Sequence, residues 1–210
     1  MSSDFLLPRV GTKENPVRLA VFISGGGSGL QSLIQYQKIP RVHITSLVIS
    51  ENNNAGGLKI AEENEILALH VPLPQIKNKS EIRLEHEKKI QQILERENSE
   101  LIVLSGYMRI ISPWLISKWK GRIVNIHPSL LPNFPGAHAH RDVLAAGSNF
   151  SGCTVHLVDE GVDTGPILGQ SRVIVRANDT IKSLQDRVKI EEHKLYPRIL
   201  DNLCSGSISL

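Results

Sequence analysis

Apolar and polar positions along the chain follow two patterns that take turns. Of five short apolar runs of strand length, the first four are each followed by a stretch with helical spacing. The strand-length runs are Arg18 to Ile23, Ile44 to Ser50, Leu67 to Val71, Leu101 to Ser105 and Ile123 to Ile126. The helical stretches are Leu30 to Tyr36, Ala55 to Glu63, Ser80 to Glu97 and Pro113 to Trp119. Strands and helices that alternate at this spacing predict βαβ units and a mostly parallel sheet flanked by helices on both faces.

The pattern changes after Ser129. A loop rich in Pro and Gly comes first, followed by two extended runs, Cys153 to Asp159 and Ile167 to Val175, and a closing helix from Asp179 to about Leu203. The closing helix carries an apolar stripe with helical spacing. One turn of that stripe is interrupted by Glu191 and Glu192.

Length and composition describe one ordinary domain. The chain has 210 residues, of which 40% are hydrophobic, and this is enough to bury a sizeable core. Residues 1–16 contain Pro8, Gly11 and Pro16 without periodicity, so we expect a flexible leader. We place the domain at residues 17–204 and expect a flexible tail at 205–210.

Charge and composition exclude several classes of partner. The net charge is only +3, no basic block is present, and aromatic residues make up 4% of the chain, so nucleic acid is not the expected partner. No run approaches the ~18 apolar residues of a membrane helix, and the first residues do not resemble a secretory signal. The two cysteines, Cys153 and Cys204, fit reduced thiols. We therefore predict a cytoplasmic protein that acts on small, anionic molecules.

The first predicted strand leads through the turn Ser24-Gly25-Gly26-Gly27-Ser28-Gly29 directly into a helix. Such a turn exposes backbone N–H groups and aims a helix N-terminus at the same point, which suits a phosphate. A dinucleotide motif that ended on Gly29 needs glycine where Ser24 stands, and a Walker loop needs lysine where Leu30 stands. The turn therefore favours a phosphate monoester. The alternative is a tight turn that simply needs its glycines.

Asn125 and His127 lie at the carboxyl tip of a predicted strand, the edge where open α/β sheets bind ligands. Their alternation puts both side chains on one face of the strand. The amide can donate to a developing oxyanion, and the imidazole can exchange a proton near neutral pH. Asp163, on a loop after another extended run, can orient His127 or take a proton through water. A structural histidine and a plain turn aspartate are the alternatives.

A metal site is a further alternative for the histidines. His138 and His140 form a His-x-His pair, and His156 lies not far along the chain. The pair is flanked by Pro and Gly rather than by a firm strand, and no His-Glu-x-x-His or cysteine pair supports it. We therefore expect no metal.

Several blocks of sequence together resemble the phosphoribosylglycinamide formyltransferase family. The blocks are Ser105-Gly106-Tyr107-Met108-Arg109-Ile110, Asn125-Ile126-His127-Pro128-Ser129-Leu130-Leu131-Pro132, Phe134-Pro135-Gly136, His138-Ala139-His140-Arg141 and Val158 to Pro166. The likeness runs from Val17 to about Leu200. It implies the single-domain formyltransferase fold, which is Rossmann-like, and transfer of a formyl group from 10-formyltetrahydrofolate to glycinamide ribonucleotide in purine biosynthesis.

The resemblance also implies roles for particular residues. Asn125, His127 and Asp163 match the catalytic trio, with Ser129, His138 and His156 in support. Gly27, Ser28 and Gly29 match the site for the substrate phosphate, and Glu192 matches the carboxylate for the ribose. Arg83, Met108, Arg109 and Asn125 match the folate site. The family usually has Asn where this chain has Gly29, which removes one possible phosphate contact.

Other activities of the same fold stay open. They are hydrolysis of formyltetrahydrofolate and formylation of methionyl-tRNA or of a nucleotide sugar, which usually come with an added domain. A non-catalytic nucleotide- or folate-binding module is a rival from another class, and the intact trio argues against it. The sequence leaves a monomer and a homodimer equally open.

Overall fold

A computed structural model describes residues 5–76 and 78–210 of the chain. In chain order the elements are β1 (Val17–Ile23), α1 (Ser28–Tyr36), β2 (His43–Ser50), α2 (Gly56–Glu63), β3 (Leu67–His70), α3 (Lys79–Arg96), β4 (Leu101–Leu104), α4 (Pro113–Lys118), β5 (Ile123–His127), α5 (Ala139–Ala145), β6 (Phe150–Leu157), β7 (Ile167–Ile174) and α6 (Ile181–Cys204).

All seven strands form one sheet in the order β3-β2-β1-β4-β5-β6-β7. Strands β1 to β5 pair in parallel, whereas β6 runs antiparallel to both β5 and β7. The predicted α/β fold with a mostly parallel sheet is confirmed. Between β1 and β4 the chain order reverses, because the first crossovers build outward to β3 and the next returns to the other side of β1. Open sheets of this kind bind ligands at such a reversal.

Alternate residues of β1 pack into two separate cores. Leu19, Val21 and Ile23 join one core with the apolar faces of α1, α2, α5 and α6. Ala20 and Phe22 join the other core with α3 and α4. Because successive side chains of a strand point to opposite faces, a strand that is apolar at every position needs helices on both sides. This packing accounts for the continuous apolar runs of the sequence.

Helix α5 is absent from the sequence interpretation, which treats the chain after Ser129 as a loop up to Cys153. In the structure Ala139–Ala145 is helical, and β6 already begins at Phe150. The helix has only seven residues and buries Ala139 and Val143, one turn apart. Two apolar positions are too few to show a helical period, so the helix depends on its packing against the core.

The segment before β1 lies against the domain from residue 5 onward, which differs from the flexible leader expected for residues 1–16. The Leu6 N–H donates to the Lys120 carbonyl, and the Gly11 N–H donates to the Cys204 carbonyl at 2.7 Å. The Arg9 guanidinium pairs with the Glu100 carboxylate at 2.5 Å. The first four residues of the expected leader lie outside the described residues. The domain boundaries stay a prediction.

The expected flexible tail also has contacts. The Ser207 N–H donates to the Asn202 carbonyl at 2.9 Å, and Ile208 packs against the core that contains α6. Across residues 5–76 and 78–210, every helix is too short or too polar to span a bilayer.

Docking of the leader can be tested at Gly11. A Cβ at this position would lie 2.2 Å from the Val42 carbonyl oxygen, a backbone atom that cannot turn away. We expect Gly11→Ala to lower the free energy of unfolding by roughly 1–3 kcal/mol in urea denaturation, as overpacking does elsewhere. Lys13→Ala, at an exposed position of the same segment, is the control and should change it by less than about 0.5 kcal/mol. Equal midpoints for Gly11→Ala and wild type would show that the leader is not docked.

Candidate active site

A cavity of about 320 Å³ opens at the carboxyl edge of the sheet, where the strand order reverses. Its walls come from the turn after β1, the turn after β4, the residues on either side of His127 and one face of α6. The lining includes Gly27, Ser28, Gly29, Ser105, Met108, His140, Lys189, Glu192, His193 and Tyr196. The edge of the sheet predicted from the sequence is therefore the edge that holds the cavity.

The glycine-rich turn forms one end of the cavity as expected. Gly27 is the N-cap of α1 with φ +77°, a left-handed conformation that favours glycine. A Cβ on Gly27 would also lie 2.5 Å from the Cα of Gly57, so the two chain segments touch. The first bond within the helix runs from the Gln31 N–H to the Gly27 carbonyl at 2.8 Å. The N–H groups of Ser28 and Gly29 precede that bond and remain available to an anion.

Helix α6 supplies the charged wall opposite this turn. Glu192 lines the cavity, and burial raises the pKa of its carboxyl to about 7, although the nearby positive charge of Lys189 lowers it. The interruption of the apolar stripe at Glu192 thus marks a cavity-lining position. Lys189 and His193, one turn before Glu192 and next to it, are cavity residues that the sequence interpretation missed. Helical spacing from Glu192 is the signal that points to Lys189.

Two contacts hold this part of α6 in place. Pro197 stands inside the helix and lacks an N–H, so the His193 carbonyl loses its helical donor. The Ser32 hydroxyl of α1 donates to that carbonyl at 3.0 Å. The buried Tyr196 hydroxyl lies 3.0 Å from the Leu104 carbonyl and 2.9 Å from the Val124 carbonyl. Helix α6 is therefore fixed both to the helix of the glycine turn and to β4 and β5.

The structure brings Asn125, His127 and Asp163 together, although Asp163 is remote in sequence. The His127 Nδ1 lies 3.2 Å from the Asp163 Oδ2. The Asn125 Nδ2 lies 3.2 Å from the His156 Nε2, and that nitrogen lies 3.6 Å from the Asp163 Oδ1. His156 reaches this place because β6 pairs it directly opposite Asn125. The four polar side chains form one cluster beside the cavity.

The backbone around His127 holds its ring. The Nε2 atom lies 2.9 Å from the Phe134 carbonyl oxygen, an acceptor, so this nitrogen carries a hydrogen. The fully buried Ser129 donates to the same carbonyl at 3.1 Å and to the Asn133 carbonyl at 2.6 Å. Because the other ring nitrogen faces a carboxylate, both partners of His127 are acceptors.

Asp163 sits in a loop with φ +56°, a conformation that Asp tolerates better than most residues. The Asp159 carboxylate shapes this loop by accepting from the Gly161 N–H and the Thr164 hydroxyl. Burial raises the pKa of Asp163, but contact with His156, the Gly136 N–H at 2.8 Å and the charge of His127 together outweigh burial and hold its pKa below the ordinary value. Asp163 is therefore an anion at neutral pH.

The two histidines of the His-x-His pair lie in different surroundings. His138 is exposed at the N-cap position of α5, whereas His140 is half-buried and lines the cavity. Burial lowers the pKa of His140, and the charges of His127 and Lys189 lower it further. Within residues 5–76 and 78–210, no group of three or more His, Cys, Asp or Glu side chains is arranged to hold a metal ion.

The expected folate residues lie near the turn after β4. Met108 is 79% exposed at the mouth of the cavity, and its N–H donates to the Ser24 hydroxyl. Arg83 lies in α3 and Arg109 in the loop after β4, and the charge of each lowers the pKa of Glu87. Burial raises the pKa of this carboxyl more strongly, and it accepts from the Ser112 N–H at 2.8 Å. Glu87 is therefore a buried carboxyl group within the influence of both positive charges, and the sequence interpretation did not identify it.

Comparison with known proteins places the chain in a family. The sequence profile of the formyl transferase family matches residues 17–200, so the chain belongs to that family. Phosphoribosylglycinamide formyltransferase of Bacillus subtilis is 38% identical over 188 residues, which cover 89% of this chain and 94% of that protein. The crystal structure of glycinamide ribonucleotide transformylase 1 from Symbiobacterium toebii superposes with a TM-score of 0.87 at 35% identity, covering 93% of this chain and 91% of that one. The expected resemblance is confirmed.

Longer relatives also match. The trifunctional purine biosynthetic protein adenosine-3 of Gallus gallus is 43% identical over 198 residues. These residues make up 93% of this chain but 19% of that protein, so the chain spans about a fifth of its length.

The raised pKa of Glu192 predicts how stability depends on pH. Between the ordinary carboxyl pKa of 4.5 and about 7, the unfolded chain releases a proton that the folded chain keeps, so Glu192 destabilises the fold progressively as pH rises through this window. We expect Glu192→Gln to raise the free energy of unfolding by on the order of 1–3 kcal/mol at pH 8 and by little at pH 4.5, as measured by urea denaturation.

Glu14→Gln, at an exposed site in the leader, is the matched control and should not show this pH dependence. A stability gain for Glu192→Gln that is equal at both pH values would contradict the assignment.

Proposed function

We propose that this chain transfers the formyl group of 10-formyltetrahydrofolate to the amine of glycinamide ribonucleotide. The proposal rests on one observation: two features that this reaction needs lie at the same edge of the sheet. One is the cluster of Asn125, His127 and Asp163, and the other is a cavity with an anion-binding turn. Ile126 and Pro128, which flank His127, line that same cavity. The chain also matches proteins named for this activity over nearly the whole of their length.

The ribonucleotide fits the cavity from its phosphate inward. The N–H groups at Ser28 and Gly29 receive the phosphate, and the Lys189 ammonium offers charge from the facing wall. Glu192 accepts hydrogen bonds from the ribose hydroxyls, and burial in the cavity wall raises the pKa of its carboxyl to about 7. With the phosphate and ribose held at these two walls, the glycinamide amine extends toward Asn125 and His127.

The folate binds on the other side of the amine in this proposal. Met108 offers an apolar surface at the cavity mouth, and Arg109 and Arg83 offer cations for the carboxylates of the glutamate tail. Asn125 stands between the two substrates. Ser129 and His156 support the trio through the contacts described above. A supporting role for His138 stays a prediction.

The chemistry follows from the positions of the polar atoms. The amine nitrogen attacks the formyl carbon, and the carbonyl electron pair moves to oxygen. The Asn125 amide then donates a hydrogen bond to the oxyanion, and the His127 Nε2–H exchanges the Phe134 carbonyl for the oxyanion as its acceptor. The attacking amine loses one proton, and the folate nitrogen gains one as its bond to the formyl carbon breaks. Asp163, an anion beside His127, keeps the ring oriented, and an ordered water held by Asp163 relays the proton from the attacking amine to the folate nitrogen. None of these steps requires a metal ion.

A cytoplasmic location, and a monomer or a homodimer as the working form, stay predictions of the same reading. Hydrolysis of formyltetrahydrofolate is the alternative activity, since water in place of the amine would react with the same formyl carbon.

An assay for amine dependence distinguishes the two activities. We expect purified protein to release tetrahydrofolate and formylated ribonucleotide in equal amounts, and only when both substrates are present. Mass spectrometry of the product and the absorbance change of the folate measure the two sides of the reaction. Formate release at the same rate without the amine substrate would instead establish a hydrolase.

The role of His127 predicts a loss of turnover with the fold intact. We expect His127→Ala to lower kcat by at least ~10²-fold, the usual contribution of a group that handles protons and charge in the transition state. His70→Ala, at an exposed position on the edge strand β3, is the control and should keep wild-type kcat. Near-normal turnover of His127→Ala, with an unchanged circular dichroism spectrum, would refute the proposed role.

A further inference from the structure

The hydroxyl of Ser105 faces the phosphate turn from the neighbouring strand. Ser105 follows β4, and its N–H continues the ladder by donating to the Phe22 carbonyl at 2.9 Å. Its side chain is half-buried and lines the cavity together with Ser28 and Gly29. Among residues 5–76 and 78–210 no donor or acceptor pairs with the Ser105 Oγ. A cavity-lining hydroxyl in this position is available to a ligand.

Space, and not backbone conformation, accounts for glycine at position 29. Unlike Gly27, Gly29 does not have a positive φ, and it lies in the first turn of α1, where other residues form helix more readily. A Cβ at this position would lie 2.5 Å from the Ser105 Oγ and 3.8 Å from its Cβ. The hydroxyl therefore occupies the volume into which a side chain at position 29 would project.

We propose that Ser105 is a phosphate-binding residue of this enzyme and that Gly29 and Ser105 act as a pair. This inference rests on the proposed function for the identity of the ligand, a phosphate monoester. The Ser105 hydroxyl donates a hydrogen bond to a phosphate oxygen beside the N–H groups of Ser28 and Gly29. The side-chain contact that an Asn at position 29 would make from α1 is supplied in this chain from the turn after β4.

The pairing makes a specific prediction about exchange. With Ser105 shortened to Ala, the volume beside position 29 opens and admits an Asn side chain with its own donor. With Ser105 present, Asn at position 29 meets the hydroxyl and displaces it. Each single change should therefore weaken phosphate binding, and the two changes together should restore it.

The first measurement is steady-state kinetics with both substrates varied. We expect Ser105→Ala to raise KM for glycinamide ribonucleotide by about 10-fold, the effect of losing one hydrogen bond to a charged group, with kcat and the KM for the folate unchanged. Gly29→Asn alone should also raise KM for the ribonucleotide. The double variant Gly29→Asn/Ser105→Ala should return to within about threefold of wild type.

The matched control is Gly29→Ala/Ser105→Ala, which fills the space without offering a donor. Its KM for the ribonucleotide should stay as high as that of Ser105→Ala. Rescue by Ala as well as by Asn would show that only packing matters and would overturn the proposal. An unchanged KM for Ser105→Ala, with thermal melting like wild type, would overturn it as well.

A second measurement separates this inference from the proposed function. Titration of wild type and Ser105→Ala with inorganic phosphate, followed by amide shifts of Ser28 and Gly29 in NMR spectra, does not depend on formyl transfer. Weaker phosphate binding by Ser105→Ala supports the site even if the wild type fails to formylate the ribonucleotide. Equal phosphate binding by the two proteins contradicts the site even if the wild type is an active transferase.

Discussion

The direction of the parallel strands on either side of β1 is the constraint on which the rest of the structure depends. Because β1, β4 and β5 run the same way, the turns that follow them all open at one edge of the sheet. Because the chain order reverses between β1 and β4, the connections that follow these two strands lead away in opposite directions. This leaves an open crevice between their turns. One sheet edge thus brings together the phosphate turn, Ser105 and the strand-end pair Asn125 and His127, although these lie far apart in the sequence.

The antiparallel half of the sheet completes what the parallel half begins. Strand β6 returns beside β5 and sets His156 opposite Asn125, and the loop after β6 then carries Asp163 back to His127. The Gly136 N–H, from the segment that follows β5, holds the same Asp163 carboxylate. The loop that carries Asp163 and the segment that contains Gly136 meet at one carboxylate. The geometry of the catalytic cluster therefore depends on both.

Two carboxyl groups at this sheet edge show how surroundings decide charge. Asp163 is half-buried among hydrogen-bond donors, and the sum of these contacts lowers its pKa. Glu192 is also half-buried, but only the charge of Lys189 opposes the effect of burial, and its pKa rises to about 7. The first carboxylate is a permanent anion that can orient a histidine. The second changes its charge near neutral pH, which suits a group that exchanges hydrogen bonds with a neutral sugar.

The amino-acid sequence by itself determined the alternation of strands and helices, the two-sided burial of β1 and the place of the glycine turn, because periodicity and turn chemistry are local. It also indicated the strand-end positions of Asn125 and His127. Tertiary structure decided helix α5, the docking of the leader and the surroundings of Glu87, since each depends on segments that are far apart in the chain. The closeness of Gly29 to Ser105 is of the same kind: the sequence shows a missing side chain, and only the approach of the turn after β4 to α1 shows that a hydroxyl lies beside it.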